Sequence, residues 1–232
     1  MVELDARQIV SYLDCPAKTK LSHFTPRFKQ LELFDRVTKL ALQYQVKKKH
    51  HAPWRRMSTW LNRELKVFAR SSDEWGEGIS LLSRLYKWYH EIYIIGPNHV
   101  IVSVPMVIPL GVGVVFHDII DIIELDDSIT LTDSGWIDSI NSAASHWLYR
   151  DTLTHIKVWA FNKVFDQMPT RYSRYCLSPH SVTRVGYRIR EQELARTEQA
   201  VLHAARGMVA GIYYPSVSQH CEGCIVRPQC KF

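Results

Sequence analysis

The distribution of cysteine constrains this chain more than any other feature of its sequence. Three of its five cysteines lie within ten positions, in the stretch "CEGCIVRPQC" at 221–230. An odd number of cysteines leaves one thiol over in a purely disulfide-based framework. In a reducing compartment, clustered thiols more often hold a metal. The sequence therefore predicts a metal or cluster site that includes this segment.

The spacing within the segment supplies three of the ligands such a site needs. Cys221 and Cys224 are separated by two residues, so a tight turn brings both thiolates to one centre, and Cys230 adds a third. Tetrahedral zinc and a single iron-sulfur cluster both need four ligands. The fourth ligand must come from elsewhere in the chain.

Three residues are candidates for the fourth ligand: Cys15, Cys176 and, for zinc alone, His220. Cys176 lies in the strand-like stretch "RYSRYCLSP", where a lone cysteine is more often a small buried hydrophobe. Cys15 is better placed because it ends a helical pattern beside a proline, in a terminal segment that has to be anchored. A site completed by Cys15 would close a loop of about 200 residues, which in the chain-entropy model stabilises the fold by several kcal/mol.

Length and charge limit the class of protein. The chain has 232 residues, of which 46% are hydrophobic, which is enough for one folded domain with a substantial core. Its formal net charge is +6, which suits a polyanionic partner such as DNA without requiring one. The start has no signal-peptide pattern and no stretch is long and apolar enough to span a membrane. We expect a soluble, intracellular protein.

Helical and strand patterns alternate along the chain. Helices are predicted for residues 2–16, 28–46, 150–168 and 191–211 from apolar residues at helical spacing. Four strands separated by turn-forming residues are predicted at 91–95, 99–110, 111–125 and 128–133, and two more at 172–179 and 182–189. The strands predict an antiparallel or mixed meander at the centre of one α/β domain.

A basic run after the helix at 28–46 is a candidate contact for nucleic acid. The residues are Lys47, Lys48, Lys49, Arg55 and Arg56. The commoner explanation for such a run is a solvated helix end whose lysines complement the helix dipole. A second group of candidate DNA contacts is Arg184, Arg188 and Arg190.

Two terminal stretches carry a resemblance to a known family. "SYLDCPAKTKL" near the start and "YYPSVSQHCEGCIVRPQC" at the end resemble the RecB-like nucleases of the PD-(D/E)XK superfamily that hold a four-iron cluster, such as the CRISPR-adaptation exonucleases and nuclease domains of recombination helicases. The resemblance implies a 4Fe-4S cluster bound by Cys15, Cys221, Cys224 and Cys230, with zinc as the alternative. It also implies a restriction-endonuclease-like core over 1–232, with a mixed central sheet flanked by helices. Residues 8–24 and 212–232 would form a small iron-sulfur subdomain.

The nuclease motifs of that family match this sequence only in part. Asp121 falls at the aspartate of the family's "G-x-x-D" strand, and Asp133 falls at the acidic residue of "(D/E)-x-K". The positions of the family's lysine, first acid and strand glycine hold Gly135, Ser103 and Asp118 instead. The positions of its helical Gln and Tyr hold His155 and Trp159.

A divalent cation could still bind at an altered set of ligands. Asp121 and Asp133, with His117 or Asp118 beside them, could hold Mg²⁺ or Mn²⁺, and Lys157 on the following helix could take the role of the missing lysine. Loss of a metal ligand and the lysine removes most of the charge stabilisation at the phosphate, so the site is expected to be degenerate and inactive.

Three functions remain open from the sequence. The first is an iron-sulfur protein with an inactive nuclease-like fold that binds nucleic acid or serves in an assembly. The second is an active Mg²⁺- or Mn²⁺-dependent DNA exonuclease with a rearranged site. The third is a purely structural subunit of a larger cellular or viral complex, held through an aromatic-rich protein interface.

Overall fold

The computed structural model describes only part of the chain. The described residues are 2–22, 55, 58–59, 62–63, 76, 100–111, 113–125, 127–136, 151–177, 182–216, 221–222, 224 and 227–230. The predicted helix at 28–46, the predicted strand at 91–95 and the basic residues Lys47, Lys48, Lys49 and Arg56 lie outside them.

The chain begins with a short strand and two short helices. The strand β1 spans Val2–Leu4, and the helix α1 spans Ala6–Asp14. Asp5 and Gln8 form a capping box, which satisfies two backbone N–H groups at the start of α1. The helix α2 follows over Pro16–Ser22. Proline is well suited to a first helical position because its missing N–H would have no partner there.

A sheet of mixed direction forms the centre of the described part of the chain. Its strands after β1 are β2 (Val100–Gly111), β3 (Val114–Leu125), β4 (Ile129–Trp136), β5 (Arg171–Leu177) and β6 (Val182–Arg188). The strand order is β1-β3-β4-β5-β6, and β2 pairs with β3. The pairs β2–β3, β3–β4 and β5–β6 are antiparallel, whereas β1–β3 and β4–β5 are parallel.

Two longer helices flank the sheet. The helix α3 spans Thr152–Phe165 and provides the crossover between the parallel strands β4 and β5. The helix α4 spans Gln192–Val209 and follows β6. A single core contains side chains of α1, α3, α4 and the sheet, including Ile9, Phe116 and Trp159. Within the described residues, none of the helices is both long enough and apolar enough to cross a membrane.

Most of the predicted elements that lie in the described residues are confirmed. The three strands at 99–110, 111–125 and 128–133, the later strand pair, and the helices corresponding to α3 and α4 all form, and the sheet is mixed. The prediction that residues 2–4 begin a helix is wrong. These residues pair instead with Val114, Val115 and Phe116, and a contact across more than a hundred positions leaves no local periodicity to detect.

Candidate functional site

The two predicted catalytic carboxylates lie on neighbouring strands of the sheet. Asp121 belongs to β3 and Asp133 to β4, and each residue is 3% exposed. The backbone N–H of Asp121 donates a hydrogen bond to Oδ1 of Asp133 at 3.5 Å. The sheet therefore brings the two acids together, as the motif comparison implied, and it buries them almost completely.

A lysine of α3 reaches this pair of acids. Lys157 Nζ lies 2.8 Å from Oδ2 of Asp133, and it donates a second hydrogen bond to the carbonyl oxygen of Ile119 at 3.1 Å. Within α3, Thr154 and Phe161 lie on the same face as Lys157 at helical spacing, and both are buried. A lysine on a buried face needs a charged partner, because an isolated ammonium is very costly to remove from water.

A residue of the neighbouring strand also forms a hydrogen bond with Asp133. The hydroxyl of Tyr172, on β5, donates to Oδ2 of the same carboxylate. The carboxylate of Asp133 thus accepts hydrogen bonds from a lysine, a tyrosine and a backbone amide, all inside the protein. We name the set Asp121, Asp133, Lys157 and Tyr172 the acidic cluster.

The charges of the acidic cluster hold one another in the ionised state. Burial raises the pKa of Asp133, but the nearby cations Lys157 and Arg174 and the hydrogen bonds to it lower the pKa more, so it lies below its ordinary value. Burial lowers the pKa of Lys157, but Asp133, Asp118 and Asp121 raise it well above the ordinary value for lysine. Burial and the neighbouring carboxylate of Asp133 raise the pKa of Tyr172. At neutral pH Lys157 is therefore an ammonium, Asp133 a carboxylate and Tyr172 a neutral phenol.

The two further ligand candidates on β3 have different surroundings. Asp118 accepts a hydrogen bond from the backbone N–H of Ile119 at 2.7 Å, and burial raises its pKa although Lys157 lowers it. His117 is exposed. It lies four residues before Asp121, a distance of about 13 Å along an extended strand. The structure therefore does not bring His117 to the acidic cluster.

Two arginines of the β5–β6 pair are neutralised by carboxylates. Arg174 Nη2 lies 2.8 Å from Oδ2 of Asp151, and Arg184 Nη2 lies 2.7 Å from Oε2 of Glu124. Arg184 also lies over the ring of Tyr175, at 5.5 Å from its centroid. Arg184, a candidate DNA contact from the sequence, is thus held in an ion pair. Of the basic run, the structure describes Arg55, which is exposed.

Helices α1 and α2 contact the segment that follows α4. Helix α4 ends at Val209, and Gly211 follows it with a φ of +67°. The N–H of Ile212 donates to the carbonyl of Gly207 at 2.9 Å, and the N–H of Gly211 donates to the carbonyl of Met208 at 3.1 Å. These two bonds form a Schellman motif, which turns the chain sharply at the helix end. The hydroxyl of Tyr12 then donates to the carbonyl of Ile212 at 2.8 Å.

The same contact continues along the segment that leads to the cysteines. The N–H of Ala17 donates to the carbonyl of Tyr214 at 3.1 Å, and the ring of Tyr213 packs edge-on against Tyr12 at 5.9 Å between centroids. Lys20 lies above the same Tyr213 ring at 5.7 Å. Helices α1 and α2 are therefore fastened to residues 212–216, and we name this region the terminal contact.

The terminal contact brings two of the four predicted cluster ligands to one residue. Cys15 Sγ accepts a hydrogen bond from the N–H of Ser216 at 3.4 Å, and Cys221 Sγ donates to the carbonyl of Ser216 at 3.8 Å. Cys224 and Cys230 follow in successive turns, in which the N–H of Cys224 bonds to the carbonyl of Cys221 at 3.3 Å. All four side chains are partly exposed, whereas Cys176 is buried at 1% exposure, as expected for a small hydrophobe.

Four cysteine thiolates are the donors that an iron-sulfur cluster requires, and two of the predicted four, Cys15 and Cys221, each form a hydrogen bond with Ser216. None of the five cysteines, all of which the structure describes, forms a disulfide. A backbone N–H directed at a cysteine sulfur, as at Cys15, is the kind of hydrogen bond that tunes cluster ligands. Within the described residues, no group of three or more His, Cys, Asp and Glu side chains is close enough to hold a metal ion. The full four-cysteine set stays a prediction.

Sequence reasoning missed several residues that build these two regions. Tyr172 and Arg174 lie on the same face of β5, because their positions differ by two, and a strand flanked by helices on that face buries both. Their partners, Asp133 and Asp151, lie far from them in sequence, so no local sequence pattern predicts these contacts. The contact between Tyr12 and Gly207 could not be predicted either, because it joins α1 to α4, which are far apart in sequence.

Comparison with known proteins adds little to this description. No family model matches the chain, and no curated protein matches it. One solved structure, described as "Crystal structure of SSO0001", is similar over 99% of this chain and 86% of its own, with a TM-score of 0.48 and 11% sequence identity. A similarity at that level carries no argument about fold family or function, so the functional interpretation depends on the residues themselves.

Proposed function

We propose that this protein is a nuclease-like α/β module that does not cleave DNA and that carries a four-iron cluster at its joined ends. In this proposal, the fold is a PD-(D/E)XK core, and it serves to bind nucleic acid or to build an assembly. The observation that carries the proposal is the environment of Asp133. Its carboxylate is buried and already accepts hydrogen bonds from Lys157, Tyr172 and the N–H of Asp121.

A carboxylate in that environment is a poor ligand for a hard divalent cation. Mg²⁺ binds through carboxylate oxygens, keeps several waters and requires near-octahedral geometry, so it needs lone pairs that point to an open, hydrated space. Both oxygens of Asp133 instead accept hydrogen bonds from inside the protein, and the ammonium of Lys157 already neutralises the charge. Binding a metal there would require the cation to displace Lys157 and leave that ammonium buried, at a high free-energy cost.

Lys157 is also unsuited to act as a base. Its pKa is raised by three nearby aspartates, so it is an ammonium at neutral pH. A general base has to be deprotonated and works best with a pKa near the working pH. Lys157 can donate hydrogen bonds, but it cannot take a proton from an attacking water.

The proposed cluster is supported by the terminal contact. Cys15 and Cys221 lie at the same residue, Ser216, although they are about two hundred positions apart in sequence. The remaining two thiols follow within ten positions of Cys221. A four-iron cluster at this place would add a covalent link to a contact that already joins the two ends.

A cleavage assay tests the absence of nuclease activity. Protein purified without oxygen and loaded with iron would be incubated with single- and double-stranded DNA in Mn²⁺, beside the variant Asp121→Ala. We expect no cutting above that of the variant. Cutting by the natural protein that Asp121→Ala abolishes would overturn the proposal.

A spectrum tests the cluster separately. Anaerobically purified protein is expected to absorb near 400 nm, as iron-sulfur proteins do, with matching iron and sulfide, and Cys15→Ser should lose most of both. Cys176→Ser is the matched control, because it removes a thiol that is buried away from the terminal contact and should keep the full iron content. A colourless protein that contains zinc would refute the cluster.

One observation favours the active exonuclease as a second candidate. Lys157 lies where it could orient a water or a phosphate beside Asp121 and Asp133, although it comes from a helix and not from the strand position Gly135. In that case the lysine and carboxylates would separate when metal and DNA bind. The cleavage assay decides between the two functions, since the second requires activity that depends on Asp121.

A further inference from the structure

A pair of like charges faces outward at one end of the β5–β6 hairpin. Arg171 of β5 lies directly opposite Arg188 of β6 in the antiparallel pair, and both side chains are exposed. Directly opposite residues project from the same face of a sheet with Cβ atoms about 4.5–5.5 Å apart. Two guanidinium groups held there repel each other and destabilise the pair.

The other arginines of these two strands show how the fold neutralises such charges elsewhere. Arg174 pairs with Asp151, and Arg184 pairs with Glu124. Among the residues that the structure describes, the ion pairs include neither Arg171 nor Arg188. The hairpin therefore keeps two of its guanidinium groups paired within the protein and presents two to the outside.

The charged surface extends beyond the strand ends. The N–H of Ile189 donates to the carbonyl of Thr170 at 3.0 Å, so the two segments remain paired one residue beyond Arg171 and Arg188. The exposed Arg190 follows Ile189. We name Arg171, Arg188 and Arg190 the arginine surface. The exposed Glu191 flanks it as a single carboxylate, and α4 begins next to it at Gln192 with the positive end of its dipole.

We propose that the arginine surface binds the phosphodiester backbone of nucleic acid, a contact that gives a partner to the module described under Proposed function and rests on that function. The planar guanidinium fork matches phosphate oxygens in a bidentate manner. A phosphate between Arg171 and Arg188 would turn their repulsion into attraction for a shared anion. The chain's formal net charge of +6 adds a long-range attraction toward the negatively charged phosphates.

The neighbouring residues favour nucleic acid over a lipid surface. Among the described residues, the exposed ones next to these arginines in sequence are Thr170, Glu191 and Gln192, all of which are polar. Stable binding to a bilayer requires apolar side chains that insert at the interface in addition to positive charge. Contacts to phosphate alone are instead the main source of sequence-independent affinity for DNA.

Salt dependence of DNA binding tests the surface. The full-length, iron-loaded protein would be titrated against a fluorescent mixed-sequence DNA duplex over a range of NaCl concentrations, with anisotropy as the readout. In Arg171→Gln/Arg188→Gln, the slope of log K against log salt should fall by about 1.8, which corresponds to two phosphate contacts, and affinity at low salt should fall by about tenfold.

A variant with the same change of charge provides the control. Arg206→Gln/Lys20→Gln removes two exposed cations, one in the last turn of α4, about 21 Å along the helix from Gln192, and one beside Tyr213 in the terminal contact, and should leave the slope nearly unchanged. The thermal midpoint of Arg171→Gln/Arg188→Gln should stay the same or rise, because the substitution removes a repulsive pair. Equal losses in both double variants, or an unchanged slope in the first, would overturn the assignment of this surface.

The same protein samples are tested for binding to other polyanions and for cleavage of the duplex. Anionic vesicles or polyglutamate that bind through these arginines while the duplex does not would refute the assignment to nucleic acid. A denaturing gel of the same duplex reports cutting. DNA that is bound through the arginines and also cut in an Asp121-dependent manner contradicts the proposed function but not the surface, whereas DNA that is neither bound nor cut contradicts the surface alone.

Discussion

The acidic cluster and the terminal contact hold functional groups in opposite ways. In the acidic cluster, Asp133 is almost fully buried and its oxygens are occupied by Lys157, Tyr172 and a backbone amide. In the terminal contact, the cysteines are partly exposed, and the contacts around them fasten the chain rather than occupy every thiol. The carboxylate of Asp133 is engaged by contacts within the fold, whereas the cysteine side chains of the terminal contact stay partly accessible.

This difference shows why residue identity alone does not define a site. Both regions contain residues that match family motifs in type and order. A carboxylate acts as a metal ligand only when its lone pairs face water or metal, and a buried ion pair removes that possibility. Asp121 and Asp133 are buried in the core, so we interpret them as structural, and the proposed ligand set concerns only the partly exposed cysteines.

The largest expected effect comes from breaking the buried ion pair. Lys157→Met keeps most of the side-chain volume but leaves Asp133 charged without its ammonium, which should lower the free energy of unfolding by about 3–5 kcal/mol. Urea denaturation measures this change. Lys163→Met is the matched control on the same helix, because its pair with Glu198 has side chains 39% and 37% exposed, and exposed pairs contribute about 0–1 kcal/mol.

Removing both charges should recover much of that loss. In Lys157→Met/Asp133→Asn the uncompensated carboxylate is gone, and replacing a buried pair by neutral groups is often close to neutral in stability. If the double variant were as unstable as the single one, the cost would come from packing and not from charge, and the account of the cluster would fail.

Acid should remove the contribution of the Asp133–Lys157 ion pair to the stability of the fold. The folded-state pKa of Asp133 lies below its unfolded value, so its contribution is present above about pH 4 and is lost as the pH falls through the lower folded value. The pKa of Lys157 is raised, so its contribution is present below about pH 10 and is lost only as the pH rises through the folded value.

Urea midpoints at several pH values check this window. The stability difference between the natural protein and Lys157→Met/Asp133→Asn should be constant from mildly acidic to mildly alkaline pH and should change below about pH 4. Burial raises the pKa of Asp118, so its contribution has the opposite sign; the double variant removes both Lys157, which lowers that pKa, and Asp133, which raises it, so the two changes at Asp118 oppose each other. A difference that is flat through the acid range would contradict the ionised pair.

The terminal contact should be sensitive to a single added methyl group. A Cβ at Gly207 would lie 2.1 Å from the hydroxyl oxygen of Tyr12 and 2.7 Å from Cζ. Tyr12 is 3% exposed and its hydroxyl is bonded to Ile212, so the ring cannot move aside easily. We expect Gly207→Ala to destabilise the protein by about 1–3 kcal/mol, as overpacking does, in urea denaturation.

The helix propensity of alanine gives the result expected if Tyr12 left room for the methyl group. Alanine is a better helix former than glycine by about 1 kcal/mol, so an unhindered Gly→Ala change would stabilise α4. A Gly207→Ala protein that is as stable as the natural one would show that α1 and α4 do not approach as closely as described.

The smallest expected effect concerns one hydrogen bond at the same place. Tyr12→Phe removes the bond to the carbonyl of Ile212 while keeping the ring and its contact with Tyr213. The loss should be about 1 kcal/mol in the free energy of unfolding. Tyr213→Phe, whose hydroxyl has a longer bond of 3.4 Å to Met208, should cost less and serves as the comparison.

The sequence predicted the elements better than the contacts between them. Strands β2, β3 and β4 and helices α3 and α4 have local periodicity and turn residues that mark them. The strand Val2–Leu4 is too short for a period and exists because it pairs with β3. Asp121 and Asp133 lie on neighbouring strands, where the backbone N–H of Asp121 donates to the carboxylate of Asp133.

What the sequence could not predict is how the charges are shared. Lys157 was a candidate for the missing lysine, and the structure places it 2.8 Å from Asp133. Its pairing depends on the packing of α3 against the sheet, and the roles of Tyr172 and Arg174 depend on which face of β5 is covered. The alternation of "RYSRYCL" shows two faces but not which one meets the helix.

Calorimetric titration of Mn²⁺ into the iron-loaded protein tests the central claim most directly. The claim is that the buried pair with Lys157 occupies Asp133, so we predict no one-to-one binding that depends on Asp121 or Asp133. Heat that fits one site per chain and that disappears in Asp121→Ala and in Asp133→Asn would contradict it, since it would show that the carboxylates can leave Lys157 for a metal.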